Sequence, residues 1–373
     1  MPLGEDDLDW LRLALTPGVG ARTAHRLVSH FGGAREVFAA GRSALEAVVE
    51  SETARALKTT TAEGEAALER TREWLEAGDD RHLLTWADPR YPKALLDLSD
   101  PPIVLFTLGR LDRLSVAPTL AIVGSRSATA GGCDDARDFA ETLSRAGVVI
   151  VSGLALGIDA AAHEGALAAG SSGGGTIAVV GTGLDRVYPA RNKPLAQRIA
   201  REGLLVSEFP LGTAPLADNF PRRNRLIAAL ARAVLVVEAS MKSGSLITAR
   251  LAAELGRDVL AMPGSIHSIH HKGCHALIKQ GAKLVESAED VLEELGVSTA
   301  RLRSSGPAPE ARRAETAQTA ADPLAEALGY DPVDLDTLVV RTGRSSSELL
   351  AELTMLELDG RAEQLPGGLW KRR

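Results

Sequence analysis

The stretch of sequence that decides the fold is residues 148–169, VVIVSGLALGIDAAAHEGALAA. It opens with an uninterrupted apolar run that contains β-branched side chains, which is typical of a strand buried on both faces. Small residues and glycines follow, and from Ile158 onward the apolar residues recur at helical spacing. A buried strand that leads through glycines into a helix is the repeating unit of an α/β sheet.

The same unit recurs through the middle of the chain. Apolar runs predict strands at 103–108, 120–123, 148–151, 177–180, 204–206, 234–237 and 259–261, and helical periodicity predicts helices at 135–146, 158–169, 194–201, 222–231 and 246–255. We therefore predict an α/β fold with a Rossmann-like, doubly wound and mostly parallel sheet. Ligands of such sheets bind beyond the carboxyl ends of the strands.

At 373 residues the chain is too long for one average domain. We predict an N-terminal helical domain of the SAM-like or helix-hairpin-helix type over residues 1–80 and the Rossmann-like domain over 81–296. A flexible linker rich in Ser, Ala, Pro and Arg follows over 297–321, and a winged-helix domain over 322–373.

Both outer domains leave an alternative open. In the first, the turn at 15–20 contains two glycines whose backbone amides suit a phosphate, but the same turn would also serve as a plain connector between helices. In the last, three short helices, 323–328, 335–342 and 347–358, precede a strand, a tight turn and a strand over 363–370. The third helix is acidic, which favours a protein partner over duplex DNA.

Charge is distributed unevenly. The net charge of −7 argues against nucleic acid, because DNA binding depends on phosphate neutralisation by Lys and Arg. Between Arg186 and Arg257, however, twelve Lys and Arg stand against five Asp and Glu. A local basic stretch of this kind indicates a nucleic-acid site.

The sequence predicts a cytoplasmic protein. Residues 1–10 carry four acidic side chains, the reverse of a secretory signal, and no apolar run is long enough to span a membrane. The two cysteines, Cys133 and Cys274, cannot make a disulfide framework.

Two glycine loops follow neighbouring predicted strands. Gly124, Ser125 and Arg126 combine close backbone approach, a hydroxyl and a planar cation that matches phosphate. Ser152 and Gly153 open a second loop whose backbone amides we expect to be free for an anion. Either loop alone would equally be a tight turn, whereas two at adjacent strand ends favour a phosphate pocket.

The most informative stretch is 219–225, NFPRRNR. Arg222, Arg223, Asn224 and Arg225 lie near the start of a predicted helix, where the helix dipole disfavours positive charge, so their presence makes sense if a phosphate lies among them. Phe220 beside them is able to stack on a base, or to pack as a core residue at the helix start. We expect Arg223 and Arg225 to be weaker candidates, since the arginines of a helix start cannot all face one groove.

Two further strand ends complete the candidate site. Lys242, Ser243, Gly244 and Ser245 form a charged loop, and Gly264 follows the last predicted strand. The chain contains no P-loop and no complete dinucleotide-binding fingerprint, so we expect no nucleotide cofactor. One mononucleotide requires one or two such loops, whereas a polymer backbone is able to use all of them.

Taken together, these motifs resemble the DprA/Smf family, the DNA-processing proteins of natural transformation. The similarity runs in order through most of residues 120–286 and includes, besides the loops above, Tyr188-Pro189, Gly273-Cys274 and Gly281-Ala282. His275 departs from the family pattern, which usually has Asn, and this puts in doubt the side-chain hydrogen bonds of that turn.

The resemblance implies a protein that binds single-stranded DNA, forms a homodimer through its Rossmann-like domain and loads the RecA recombinase, without catalysis. It makes Arg126, Phe220, Arg222 and the Lys242 loop the leading DNA contacts.

Two other functions remain as alternatives. The first is a nucleotide-processing enzyme of the phosphoribohydrolase type, although no acidic residue stands beside Pro263-Gly264 to act as its catalyst. The second is a duplex-specific transcription regulator, which rests only on the winged helix. The histidines near Cys274 fit no standard zinc spacing, and we expect no metal there. His163 is expected to be a buried, hydrogen-bonded histidine.

Overall fold

The computed structural model describes residues 5–298, 323–328 and 332–372. The chain divides into two compact units, with the boundary between Ser305 and Gly306. Of the predicted linker, only residues 297 and 298 fall within the described part of the chain.

The first unit begins with six helices. They are α1 Glu5–Leu15, α2 Ala21–Phe31, α3 Ala34–Ala39, α4 Arg42–Glu46, α5 Ser51–Lys58 and α6 Ala62–Glu76. The turn between α1 and α2 places Gly18 in the left-handed region, at φ +82°, where a side chain would also approach the Thr53 hydroxyl to 2.7 Å. The predicted pair of helices joined by a glycine turn is confirmed.

A nine-stranded sheet forms the centre of this unit. Its strands are β1 Arg81–Thr85, β2 Val104–Gly109, β3 Thr119–Val123, β4 Val149–Ser152, β5 Thr176–Val179, β6 Leu204–Ser207, β7 Ala233–Val236, β8 Asp258–Ala261 and β9 Lys283–Leu284. Their spatial order is β1-β2-β6-β5-β4-β3-β7-β8-β9, and all neighbours from β6 to β9 are parallel. β1 and β2 add an antiparallel edge. The predicted mostly parallel sheet is confirmed.

The strand order places the point of reversal between β3 and β7. From β3 the chain winds outward through β4, β5 and β6, and then returns to the other side of β3 to continue through β7, β8 and β9. In open α/β sheets the crevice at such a reversal, outside the carboxyl ends of the strands, is where ligands bind. The topology therefore predicts a ligand site at the loops that follow β3 and β7, which carry Arg126 and Lys242.

Helices cover both faces of the sheet. They are α7 Ala130–Arg145, α8 Ile158–Ala168, α9 Lys193–Glu202, α10 Asn219–Leu230, α11 Ser245–Glu254, α12 Lys272–Lys279 and α13 Ala288–Leu295. Because successive strand residues point to opposite faces, Leu120 and Ile122 of β3 pack with α7, α8 and α13, whereas Ala121 and Val123 pack with α10, α11 and α12. The sheet is thus doubly wound, as predicted.

The six N-terminal helices share a core with one part of the sheet. One apolar cluster joins Trp10 and Leu27 to Phe106, Val180 and Leu205. The Trp10 ring also makes an edge contact with Trp86 at a centroid distance of 5.8 Å. The boundary near residue 80 stays a prediction, and the packing on its two sides is continuous.

The second unit contains α14 Pro323–Leu328, β10 Val333–Asp334, α15 Leu335–Thr342, α16 Ser346–Leu358, β11 Ala362–Leu365 and β12 Leu369–Arg372. The three strands pair in the order β10-β12-β11. The three helices and the wing formed by β11 and β12 confirm the predicted winged helix, to which β10 adds a short third strand. Within the residues described for both units, every helix is too short or too polar to cross a lipid bilayer.

Candidate nucleic-acid interface

The predicted site residues lie in loops at the carboxyl edge of the parallel strands. Arg126 follows β3, Gly153 follows β4, Lys242 follows β7 and Gly264 follows β8, while α10 carries the residues of the NFPRRNR stretch. α10 begins at Asn219, three residues before the predicted start, because Pro221 is tolerated in the first turn of a helix. The structure therefore brings these loops together at one edge of the sheet.

The loop after β3 is held tightly against the loop after β7. A Cβ on Gly124 would lie 2.5 Å from Ile158 Cγ1 and 2.8 Å from the carbonyl oxygen of Glu238, so only glycine fits between them. The buried carboxylate of Glu238 accepts hydrogen bonds from the amide of Thr129 at 2.9 Å and from its hydroxyl at 2.5 Å. This carboxylate, whose role the sequence did not reveal, fixes the approach to α7.

Arg126 is exposed and rests on an aromatic pair. Its guanidinium carbon lies 5.6 Å from the centroid of the Phe220 ring, a cation–π distance. The Phe220 ring lies 5.3 Å from that of Tyr188. Arg126 has no ion pair with any of the described residues, so its charge remains available to an anion.

Arg222 and Arg225 share one buried carboxylate. Arg222 is 57% exposed, lies 5.7 Å from the Phe209 ring centroid and approaches Glu208 Oε2 to 3.5 Å. Arg225 is largely buried, and its guanidinium pairs with the same Glu208 oxygen and with Asp100 at 3.7 Å. Burial raises the pKa of Glu208, and the two arginines oppose that effect. Arg222 therefore presents its charge to solvent, whereas Arg225 serves mainly to neutralise Glu208.

Arg223 differs from both neighbours. It is only 4% exposed and donates hydrogen bonds to the carbonyl oxygens of Gly153 and Val179. Burial lowers the pKa of its guanidinium to about 10, and the nearby Asp159 carboxylate opposes the shift. Its side chain holds two strand ends together beneath the surface. Asn224, next on the helix, is half-buried.

The expectation that the loop after β4 offers free amides is wrong. The amides of Gly153 and Ala155 donate to Asp159 Oδ2 at 3.1 and 3.4 Å, and the Ser152 hydroxyl donates to the carbonyl of Ile122 at 2.7 Å. Both Ser152 and Gly153 are buried. The reason is that α8 begins close to this turn, so Asp159 in its first turn accepts the hydrogen bonds of the loop amides. The loop after β4 therefore lies below the surface and holds the neighbouring loops in place.

The loop after β7 presents a single exposed cation. Lys242 has no ion pair with the described residues, and it precedes the hydroxyls of Ser243 and Ser245, which are hydrogen-bonded to each other at 2.7 Å. Gly244 is exposed and immediately precedes α11. Lys242 is thus the counterpart of Arg126 on the other side of the strand reversal.

Gly264 lies at the end of the row of loops, exposed to solvent. A Cβ there would meet the His271 ring at 2.1 Å, so the packing of that ring already requires glycine at this position. The Gly264 carbonyl lies 3.0 Å from Nε2 of His275, so the His275 side chain does make a hydrogen bond in this turn. Among the described residues, His, Cys, Asp and Glu side chains nowhere gather in threes in an arrangement that would hold a metal ion.

His163 of α8 is fully buried and contacts Thr176, the first residue of β5. The Thr176 hydroxyl donates to the carbonyl of Ile150 at 2.7 Å, so Nδ1 of His163, 2.7 Å from that hydroxyl oxygen, carries the proton of their hydrogen bond. Burial lowers the pKa of His163 to about 3, and the charge of Arg223 adds to the effect. The expected buried, hydrogen-bonded histidine is confirmed, and it is neutral.

The domains and the row of loops define the class of protein: a Rossmann-like domain with a helix-hairpin-helix domain before it and a winged helix after it. Residues 82–296 match the family model described as DNA recombination-mediator protein A, residues 307–368 match the DprA winged helix domain, and residues 4–69 match the DprA-like N-terminal HHH domain. The chain belongs to the DNA recombination-mediator protein A family, whose members carry the names DprA and Smf.

Relatives with known sequences and structures agree with this placement. The Escherichia coli protein Smf is 43% identical over 305 residues, which cover 80% of this chain and 79% of that protein. The DNA processing protein DprA of Streptococcus pneumoniae is 50% identical over 207 residues, covering 56% of this chain and 72% of that one. The X-ray structure of that protein aligns with 79% of this chain, and the aligned part is 99% of the solved chain. The identity is 36% and the TM-score is 0.66.

A second solved structure, of DNA processing protein A from Helicobacter pylori, is described for its single-stranded DNA binding mode. It is 32% identical and aligns with 57% of this chain, and the aligned part is 95% of the solved chain. The TM-score is 0.52.

Proposed function

We propose that this chain binds single-stranded DNA along the carboxyl edge of its sheet and performs no chemistry on it. Arg126, Lys242 and Arg222 are the proposed phosphate contacts. The observation that carries the proposal is the exposure of Arg126 and Lys242 without an ion-pair partner in the described residues, on two loops that meet at the strand reversal. The H. pylori relative, described as binding single-stranded DNA, supports it.

A polymer fits this edge better than a single nucleotide does. The exposed cations are spread along it: Arg222 stands beside the end of β6, Arg126 at the end of β3 and Lys242 at the end of β7. β5 and β4 lie between β6 and β3, so the strand ends that carry these side chains span several strand spacings of about 4.8 Å each. A phosphodiester chain offers a charge at each of these points.

The same geometry argues against an enzyme of the phosphoribohydrolase type. Asp159, Glu208 and Glu238 are buried carboxylates of this edge. Hydrogen bonds from the protein engage Asp159 and Glu238, and ion pairs with Arg222 and Arg225 engage Glu208. A catalytic acid or base must reach the reacting atom of its substrate. None of the three carboxylates is exposed to do so.

The test is equilibrium binding of an oligothymidylate by single variants. Arg126→Ala and Lys242→Ala should each weaken binding by about tenfold, and they should weaken unrelated sequences alike, because phosphate contacts carry no base information. Arg232→Ala is the matched control: it is an exposed arginine at the amino end of β7, the opposite edge of the sheet. Affinities that fall equally for all three variants, or for none, would refute the proposed site.

We also propose that the bound strand is handed to a RecA-type recombinase in the cytoplasm. The family description as a recombination mediator supports this role. The test is the rate at which RecA forms filaments on a strand already coated with single-strand-binding protein. This chain should shorten the lag, and the Arg126→Ala variant should shorten it less.

A homodimer through the Rossmann-like domain is the third element of the proposal. Ile266 and Ile269, in the loop that follows β8, are each 68% exposed and lie three residues apart, so a second copy that packs on this loop would bury both side chains. The molar mass from light scattering should be twice that of the chain. A monomeric mass at micromolar concentration would contradict it.

For the winged helix we propose a protein partner rather than duplex DNA. Glu348, Glu352, Glu357 and Asp359 lie on or directly after α16, the helix that enters the major groove in DNA-binding winged helices. A duplex should therefore compete poorly against a single strand of equal length. Equal competition would favour the alternative of a duplex-specific regulator.

A further inference from the structure

Tyr188 is an exposed aromatic side chain. Among the exposed large apolar side chains of the described residues it is the one aromatic, with 48% of its surface accessible. It lies between β5 and α9, on the carboxyl side of β5, and its ring lies 5.3 Å from that of Phe220 with the two planes 39° apart. An aromatic ring held in place by another ring, yet open to solvent, is suited to stacking.

Phe220 is less accessible. Its ring is half-buried, with Arg126 on it at 5.6 Å and Tyr188 beside it. The backbone of Gly181 also lies against it, since a Cβ at that glycine would come within 3.1 Å of Phe220 Cδ1. A base that approaches this edge therefore meets Tyr188 before it meets Phe220.

We infer that Tyr188 is a base-stacking residue of the single-stranded DNA site, and that Phe220 positions both Tyr188 and Arg126. This inference rests on the proposed function and adds a recognition element to it. Because Tyr188 and Arg126 both contact the Phe220 ring, a base on the tyrosine and a phosphate on the arginine belong to the same or adjacent nucleotides. Stacking on a ring accepts any base, which matches a site for unrelated sequences.

The experiment compares two ligands of equal length: an oligothymidylate, and a base-free strand built from tetrahydrofuran phosphate units. Each is titrated at low salt against the full-length protein and its Tyr188→Ala, Tyr188→Phe and Phe220→Leu variants. Tyr188→Ala should weaken binding of the oligothymidylate about tenfold and leave the base-free strand unchanged, because only the former has bases to stack. Tyr188→Phe keeps the ring and should bind both ligands as the wild type does.

The Phe220→Leu variant tests the positioning role of Phe220 apart from the stacking role of Tyr188. It removes the ring that supports both Arg126 and Tyr188, and so it should weaken binding of both ligands. If Tyr188→Ala weakens both ligands equally, or neither, then Tyr188 does not stack on a base and the inference is overturned. If the wild type binds neither ligand, the proposed function itself fails, which is a distinct result.

Discussion

The backbone amide of Ser125 donates a hydrogen bond of 2.7 Å to the carbonyl oxygen of Glu238. This bond joins the loop that carries Arg126 to the loop that carries Lys242, across the one place where the strand order reverses. The bond therefore holds the backbones of the two loops together at Ser125 and Glu238, next to the two exposed cations.

Replacing Gly157 tests whether the Arg126 loop must be held in place. Gly157 has φ +74°, and a Cβ there would lie 2.3 Å from the carbonyl oxygen of Ser125. Gly157→Ala should therefore displace the loop and weaken single-stranded DNA binding about tenfold, besides a cost of about 1–3 kcal/mol, because the backbone at φ +74° and ψ −126° lies in a region that residues other than glycine rarely adopt. Gly170→Ala is the control, since Gly170 has the same φ with open space around it. Equal affinities for the two variants would mean that the loop position does not matter.

Substitutions of Arg222 and Arg223 should affect different properties: DNA affinity for Arg222, and the free energy of unfolding for Arg223. Arg223→Met leaves two buried carbonyls and the Asp159 carboxylate without their cation, and should lower the free energy of unfolding by about 3 kcal/mol. Arg222→Met removes an exposed charge and should change the free energy of unfolding by less than about 1 kcal/mol while weakening DNA binding. Urea denaturation of both variants, beside their affinities, checks this. The reverse pattern would show that the burial assigned to the two arginines is wrong.

The neutral state of His163 makes stability depend on pH. Between pH 7 and pH 5 the unfolded chain binds a proton at this histidine, whose ordinary pKa is about 6.5, but the folded chain does not because its pKa is about 3. Stability is therefore complete above about pH 6.5 and is lost as the pH falls. Over that interval the stability of the wild type relative to His163→Gln should fall by about 2 kcal/mol.

The control for this pH dependence is His25→Gln. His25 is an exposed histidine of α2, and the stability of the His25→Gln variant is measured over the same pH range as that of the wild type. If the wild type and His163→Gln instead lose stability in parallel between pH 7 and pH 5, His163 is not held neutral.

Purified protein should release no free base from nucleoside monophosphates. The carboxylates of Asp159 and Glu238 are buried and engaged with Gly153, Ala155 and Thr129, so neither reaches a substrate. Chromatography of the reaction mixture checks this. Release in proportion to protein concentration, abolished by Asp159→Asn, would restore the enzymatic alternative.

Much of the fold could be predicted from the sequence, because the central strands are continuous apolar runs and few other structures bury such runs. β1 was missed since it begins with Arg81 and His82 at a half-exposed edge, and β9 was missed because it has only two residues. Both strands depend on pairing with a neighbour, which a local pattern does not reveal.

The candidate site could be predicted by residue type but not by exposure. Arg222 and Arg223 differ by about 100° around α10, and which of them faces solvent depends on where the helix starts and how it packs. The free amides expected after β4 are occupied by Asp159, an interaction set by the turn into α8. Tyr188 belongs to the Tyr188-Pro189 pair that contributes to the family resemblance, but nothing in that pair indicates that its ring is exposed.

In the proposed site, exposed cations at the carboxyl edge of the sheet neutralise DNA phosphates. The salt dependence of oligothymidylate affinity for the Arg126→Ala, Lys242→Ala double variant tests this neutralisation. Each lost phosphate contact should reduce the slope of log affinity against log salt by about 0.7, so the double variant should lose about 1.4 while Arg232→Ala keeps the wild-type slope. A double variant with the wild-type slope would show that these two side chains neutralise no phosphate.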